Sequence, residues 1–473
     1  MNDCCDSNDG NYDLIVVGAG SAGFSASITA AEQGARVALV GEGLIGGTCV
    51  NVGCVPSKTM IRAMETVHQA RVAGRFDGIG GAVRVDDWRA LVAQKDSLVD
   101  DLRQANYIDL LPSYDNVDYL NTRAWFTADG LAVEGADIRA DRIIIATGSK
   151  QQVPYIPGMA TVDYLTSTTA LELETLPAAM LILGGGYIGC ELAQIFARAG
   201  VEVTIVCRSG LLPEGEPEIS TALAEVFESE GIHVVAGVRY LYVAMRDGRV
   251  VLAIEQDGRA RELVAESLLL ATGRSASVEY LGLEAAGIAL NGNGGIEIDD
   301  RMRTSGPGIY AAGDVTGHDQ FVYMAAYGGK IAASNALNGN SLVYDNSAMP
   351  AVTFSDPQVA TVGLTERAAR ARGIDVKTSV LPLSAVPRAL AARDTRGLIK
   401  LVADAASDQL IGAHIMAPEG GDSIQTAALA IQQGMTTKAL GAMIFPYLTT
   451  VEGLKLAAQT FDKDISKLSC CAG

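Results

Sequence analysis

Two pairs of cysteines in this 473-residue chain are spaced for chemistry. Cys49 and Cys54 are separated by four residues in Gly46-Gly47-Thr48-Cys49-Val50-Asn51-Val52-Gly53-Cys54-Val55-Pro56-Ser57-Lys58. A thiol pair at that spacing can cycle between dithiol and disulfide. Its place at the start of an expected helix favours the thiolate form through the helix dipole. Cys470 and Cys471 are adjacent in the last five residues, Ser469-Cys470-Cys471-Ala472-Gly473. Neighbouring Cα atoms are about 3.8 Å apart, whereas an ordinary disulfide spans roughly 4.4–6.8 Å. A bond between neighbours is strained and easily reduced, so this pair tends to remain two thiols, which soft metal ions prefer as ligands. Cys190 and Cys207 fall on an expected core helix and strand end and read as packing residues.

The elements that position the first pair follow from the pattern around it. Tyr12 to Val17 is a continuous apolar run, as in a buried parallel strand. Gly18-Ala19-Gly20-Ser21-Ala22-Gly23 follows, then a helix over 25–33 and a strand over 36–40. This is a dinucleotide fingerprint in its βαβ setting: the first glycine turns the chain, the second admits a pyrophosphate, and the third packs helix on strand. Glu42, one residue past the usual position, is the candidate ribose ligand. Beyond the cysteines, 57–73 reads as an amphipathic helix with Met60, Ile61, Met64 and Val67 at helical spacing, a core stripe. A further helix is expected over 87–104.

The fingerprint repeats. Met180 to Leu183 leads into Gly184-Gly185-Gly186-Tyr187-Ile188-Gly189, a helix through Ala199 and a strand over 201–206. The chain therefore carries two dinucleotide sites. Arg208 stands where an acid would bind a free ribose, and an arginine there favours the 2′-phosphate, NADPH over NADH. Two strands end in Ala-Thr-Gly, at Thr147-Gly148 and at Gly273, and another ends in Gly313-Asp314, which can place a carboxylate against a sugar hydroxyl. A helix over 323–337 comes next. From Ser347 the fingerprints stop. A strand begins at Val352, a strand pair covers 398–403 and 410–416, and helices cover 423–433 and 451–461, reading as an interaction domain.

Length and composition bound the rest. The net charge of −19 argues against nucleic acid and anionic membrane surfaces as partners. The most apolar stretch, around 180–197, contains Glu191, Gln194 and several glycines, so no membrane span is expected. The first thirteen residues are acidic and polar, unlike a signal peptide. A cytoplasmic location is expected, where cysteines serve redox or metal chemistry more often than structural disulfides.

Two fingerprints, a Cys-x4-Cys pair, two Ala-Thr-Gly strand ends and a Gly-Asp together resemble the pyridine nucleotide-disulfide oxidoreductases, from Tyr12 to Phe461. Pro350 to Pro357, leading to Val362-Gly363-Leu364-Thr365-Glu366, resembles the start of that family's dimerisation domain. The resemblance implies an α/β fold with two dinucleotide-binding (Rossmann-like) domains and a C-terminal α+β dimerisation domain. The expected division is a tail at 1–11, an FAD domain at 12–150 and 276–345, an NADPH domain at 151–275, a dimerisation domain at 346–465 and a tail at 466–473. It implies FAD on Gly18, Gly20, Gly23, Glu42, Gly47, Thr48, Lys58, Thr147, Gly148 and Asp314, and NADPH on Gly184, Gly186, Gly189, Arg208 and Gly273. Hydride would pass from NADPH to flavin and on to the Cys49–Cys54 disulfide. Cys54 would face the flavin and Cys49 the substrate. Lys58 would sit near the flavin and pair with Glu191, and Tyr187 would cover the flavin until nicotinamide displaces it.

Two features narrow the resemblance. Most disulfide reductases of the family carry a His-Pro near the C-terminus whose histidine is the acid–base for thiol substrates; here Phe445-Pro446-Tyr447 stands in its place. The four histidines, at 68, 233, 318 and 414, read as structural or surface residues. With the terminal Cys-Cys, this is similar to the branch that reduces mercury(II) to Hg(0). The implied substrate is a Hg(II)–thiol complex and the implied metal ligands are Cys49, Cys54, Cys470 and Cys471. The implied assembly is a homodimer, the tail of one subunit feeding the active site of the other, with Tyr447 assisting. The larger members of that branch carry an N-terminal Cys-x-x-Cys metal-binding domain, and this chain reads as a short form without it. Cys4-Cys5 is then either an inert tail or a minimal collector of Hg(II). Two other activities stay open: reduction of a low-molecular-weight disulfide, and sequestration of the metal without turnover.

Overall fold

The computed structural model describes residues 10–467. The calls on Cys4, Cys5, Cys470 and Cys471 lie outside them. The chain forms two compact units, one of Met1–Pro56, Ala93–Gln152 and Gly273–Asp345, the other of Ser57–Val92, Val153–Thr272 and Asn346–Gly473. The fold class is the one expected, with α/β nucleotide-binding sheets and a separate antiparallel sheet.

The first unit is built on β1 (Leu14–Val17), α1 (Ser21–Glu32) and β2 (Val37–Val40). Every residue of β1 and β2 is buried, as the unbroken apolar runs require of a sheet covered on both faces. A parallel sheet runs Ile309–Ala311, Ile143–Ile145, β1, β2 and β3 (Val117–Leu120). The helix Val322–Asn338 lies against α1 with little room: a Cβ on Gly329 would come 2.2 Å from the Ala22 carbonyl oxygen.

The second unit repeats the plan. Its parallel sheet runs His233–Val235, Glu202–Val206, Ala179–Leu183 and Ser267–Leu270. A three-stranded antiparallel sheet, Arg239–Arg246, Arg249–Gln256 and Arg259–Ala265, is inserted before the last of these strands. The five-stranded sheet of the C-terminal segment is antiparallel, in the order Pro350–Thr353, Gln358–Gly363, Leu410–Ala417, Leu398–Asp404, Val376–Pro382. Met60, Met64 and Val67 are buried in the same core as Phe196 and Phe227, so the methionine stripe is packing.

Charges also sit inside this unit, each with partners. Lys400, 2% exposed, reaches Glu216 and Glu218 at 2.8 Å and Glu366 at 3.0 Å. Arg198 joins Glu230 at 2.9 Å and Asp356 at 3.0 Å. His414 is buried beside Glu216, and His68 beside Glu230; burial pulls both imidazoles below their ordinary pKa. His233 and His318 are exposed.

The crossing at Gly329 gives a direct test of the packing. Gly329→Ala overpacks a close backbone approach and lowers stability by about 1–3 kcal/mol, seen as a lower urea midpoint. Gly292→Ala, with no atom within 4 Å of its new Cβ, leaves the midpoint in place.

Candidate active site

Each nucleotide loop is shaped by glycines that nothing else can replace. In the first, Gly18 has φ +119°, and a Cβ there would lie 2.2 Å from the Ala146 oxygen; a Cβ on Gly23 would lie 1.7 Å from the Gly18 oxygen. In the second, Gly184 has φ +115° with the same clash at 2.2 Å against the Ala271 oxygen, and Gly189 would clash at 2.1 Å with the Gly184 oxygen. The N-caps of α1 and of the helix Tyr187–Ala199 are Gly20 and Gly186, with no side-chain acceptor. Neither helix has an acid in its first turn. Unshared N–H groups and a positive dipole end then suit a phosphate. The residues present fit a dinucleotide at both loops.

The loops differ in what covers them. Gly20 is covered by the thiol segment: the Gly46 N–H donates to the Ala19 carbonyl at 2.9 Å, and a Cβ on Gly47, at φ +67°, would meet Gly20 Cα at 2.6 Å. Gly186 has nothing within 4 Å of where a side chain would start.

The thiol segment is not the head of one helix, as expected. It is a short helix, α2 (Gly47–Val52), broken at Gly53, followed by α3 (Cys54–Arg71). Thr48 and Cys49 lie on α2 and Cys54 opens α3. The helix expected from Ser57 thus starts three residues earlier. Proline at Pro56 signals a helix start, but the first turn tolerates it because its missing N–H had no partner there. Cys49 and Cys54 are partly exposed thiols, while Cys190 and Cys207 are buried. Burial pushes the Cys207 thiol up to about 11 and raises Cys190 further. Cys190 Sγ donates to the Gly185 carbonyl at 3.6 Å.

A hydrogen-bonded chain that sequence reasoning missed lies in the same unit. Asp314, partly buried, accepts from Ser149 Oγ at 2.6 Å; Ser149 Oγ accepts from Arg274 Nε at 2.7 Å, and Arg274 Nη2 donates to the Ser149 carbonyl at 2.6 Å. Burial lowers the Arg274 pKa, while the charges of Asp314 and Cys54 raise it. By reciprocity this guanidinium favours the Cys54 thiolate. Ser149 and Arg274 each follow a Thr-Gly strand end, and the structure pairs Ser149–Gln151 with Arg274–Ala276. Thr147 Oγ1 donates to the Ser277 carbonyl at 2.8 Å, and Gly148, at φ +72°, has open space beside it. Gly273 turns the chain at φ +104° and belongs to this first unit. Glu42 is held by Arg123 in a two-bond pair at 2.6 and 2.7 Å, on the surface.

In the second unit, Lys58 Nζ donates to Glu191 Oε2 at 2.7 Å, and the Phe354 N–H donates to Glu191 Oε1 at 2.9 Å. Lys58 also lies 4.8 Å from the Phe354 ring centroid. Tyr187 begins its helix with 44% of its surface exposed. Arg208 is exposed past the strand end and makes no ion pair among the described residues. Tyr447 is 56% exposed, next to Leu448. Among the described residues no group of three or more His, Cys, Asp or Glu could hold a metal ion.

Alkylation separates the two classes of cysteine. After reduction by NADPH, iodoacetamide at pH 8 labels Cys49 or Cys54, and peptide mass mapping finds Cys190 and Cys207 unlabelled until the protein is denatured.

The chain matches the pyridine nucleotide-disulphide oxidoreductase family over residues 12–330 and that family's dimerisation domain over 349–458. It is 48% identical to the mercuric reductase of Staphylococcus aureus, covering 98% of this chain and 85% of that protein. It is 46% identical to the mercuric reductase of Streptomyces lividans, covering 98% of each. Among solved structures, the HOCl-induced flavoprotein disulfide reductase RclA from Escherichia coli superposes with a TM-score of 0.83 at 30% identity, covering 95% of this chain and 99% of that one. No described helix is long and apolar enough to cross a membrane. From the fingerprint loops, the thiol pair and these matches, the chain belongs to the pyridine nucleotide-disulphide oxidoreductase family, an oxidoreductase whose cofactors are FAD and NADPH.

Proposed function

We propose that this protein reduces mercury(II) to elemental mercury, NADPH + Hg(II) giving NADP+, H+ and Hg(0). The observation that carries this reading is the set of relatives named mercuric reductase, 43–48% identical along nearly the whole chain. Phe445-Pro446 in place of a His-Pro agrees with it: a metal held by thiolates needs them deprotonated and gains nothing from a proton donor.

The residues divide the work. Gly18, Gly20 and Gly23 hold the FAD pyrophosphate, with Thr48, Thr147, Gly148 and Asp314 around the rest and Glu42 at a ribose. Gly184, Gly186 and Gly189 hold NADPH, and Arg208 takes its 2′-phosphate through charge-assisted bonds. When bound, FAD transfers the electron pair of NADPH. Cys49 and Cys54 hold the metal, two soft sulfurs for a soft ion. Arg274 places its positive charge where it favours a thiolate at Cys54. Lys58, fixed by Glu191, places a positive charge one turn beyond Cys54 on α3. Tyr187 gates nicotinamide access, and Tyr447 assists at the metal as a neighbouring phenol.

Delivery is assigned to the C-terminal thiols. The chain pairs as a homodimer through the matched dimerisation domain. Cys470 and Cys471 of the partner subunit exchange one sulfur at a time for the thiols that bring Hg(II), then pass the ion to Cys49 and Cys54. The match to a flavoprotein disulfide reductase favours a second reading, reduction of a low-molecular-weight disulfide.

Steady-state NADPH oxidation separates the two. The proposal expects fast oxidation with a Hg(II)–thiol complex and little with disulfides; brisk disulfide turnover without mercury supports the second reading instead. Cys470→Ala/Cys471→Ala abolishes turnover of thiol-complexed Hg(II) and spares the first reductive half-reaction with NADPH. Normal turnover in that variant rules out the delivery role.

A further inference from the structure

The thiol segment is braced from one side by a feature the reaction scheme does not use. The helix α4 (Trp88–Arg103) ends in a π-turn over Gln104–Ile108. Such one-turn π segments are rare and often mark functional sites. This one turns Tyr107 onto the thiol segment. A Cβ on Gly46 would lie 3.2 Å from two atoms of the Tyr107 ring, so the ring rests on the turn that starts α2. The ring also meets Phe24 of α1 edge-on, with centroids 4.7 Å apart.

The residue just before the π-turn holds the same segment by hydrogen bonds. Arg103 Nη1 donates to Asn51 Oδ1 at 3.1 Å. Asn51 Nδ2 donates to the carbonyls of Ile45 and Gly47, each at 2.9 Å. Asn51 lies between Cys49 and Cys54, so its amide ties the inter-cysteine stretch back to the turn before it. The Tyr107 ring and the Arg103 guanidinium thus both brace the segment, and they stand four residues apart at the end of one helix. The phenol stays neutral: burial raises its pKa first, and the nearby Cys49 and Cys54 charges raise it further, while Ser21 lowers it. A neutral wall adds no repulsion to thiolates.

We infer that the π-turn is a positioning device for the redox pair, in which Tyr107 by packing and Arg103 through Asn51 hold Cys49 within bonding reach of Cys54. Both residues act through the segment, not on the substrate. The inference rests on the thiol pair being the redox centre, and it does not depend on mercury.

A held pair forms its disulfide readily, because each thiol meets the other at high effective concentration. Loosening the segment lowers that concentration and raises the midpoint potential of the couple. The test is the potential of Cys49/Cys54 in the FAD-loaded protein, poised in dithiothreitol redox buffers without any metal and read by alkylation mass shift. Tyr107→Leu is expected to lower the equilibrium constant for disulfide formation about tenfold, a rise of about 30 mV. Tyr107→Phe keeps the ring and is expected to retain the wild-type potential. Asn51→Ala removes the amide tie without touching the ring and is expected to shift the potential in the same direction, which decides the matter if Tyr107→Leu does not fold. Unchanged potentials in Tyr107→Leu and Asn51→Ala overturn the inference. So does an equal shift in Tyr107→Phe, which would assign the effect to the hydroxyl and not to packing. Because no mercury is used, the outcome stands apart from the proposed substrate.

Discussion

The Lys58–Glu191 pair is the constraint on which the rest of the site depends. Glu191 is 4% exposed and accepts from Lys58 on one oxygen and from the Phe354 backbone on the other. The Lys58 side chain is 33% exposed, so the pair is only half-buried, yet removing Lys58 leaves a buried carboxylate without its charged partner. Lys58 stands one turn along the helix that opens with Cys54. Glu191 stands one turn along the helix that opens beyond the second nucleotide loop. The same two helices meet again where Arg71 donates to the Arg198 carbonyl at 2.9 Å, and between those points Met60 and Met64 pack in one core with Phe196. The redox helix is therefore fixed to the second nucleotide helix at both ends by polar contacts and along its middle by apolar ones.

The two nucleotide loops are the same backbone solution used twice, down to equivalent glycine contacts. Their difference carries the functional logic. The first loop is roofed by the segment that holds Cys49, through the Gly20–Gly47 approach and the Gly46–Ala19 hydrogen bond. The second is open at Gly186. A cofactor that stays bound suits a covered loop next to thiols. A cofactor that comes and goes suits an open one.

Local chemistry made much of this legible in the sequence. Glycines that must turn a strand into a helix appear as fingerprints, and a Cys-x4-Cys segment beside one is specific. Contacts between distant parts of the chain were not legible. Arg274, Ser149 and Asp314 form one hydrogen-bonded chain across sequence separations of 125 and 165 residues, and no spacing rule joins them. The apolar spacing of Met60, Ile61, Met64 and Val67 marks the helix but not its first turn, which begins three residues before Ser57 at Cys54. The inserted three-stranded sheet carries no chemical motif, yet its hairpins left a trace. Asp247-Gly248 and Asp257-Gly258 both have positive φ in the two-residue turns that join the strands, the Asp-Gly signature of a tight hairpin.

In the proposed reaction both electrons from NADPH end on the metal. The most direct measurement traps mercury vapour from the wild-type protein, supplied with NADPH and a Hg(II)–thiol complex, and counts Hg(0) against NADPH oxidised in the same vessel. The expected result is one Hg(0) per NADPH, with no vapour from a Cys54→Ser variant. NADPH oxidation without vapour, or vapour that persists in Cys54→Ser, would contradict it.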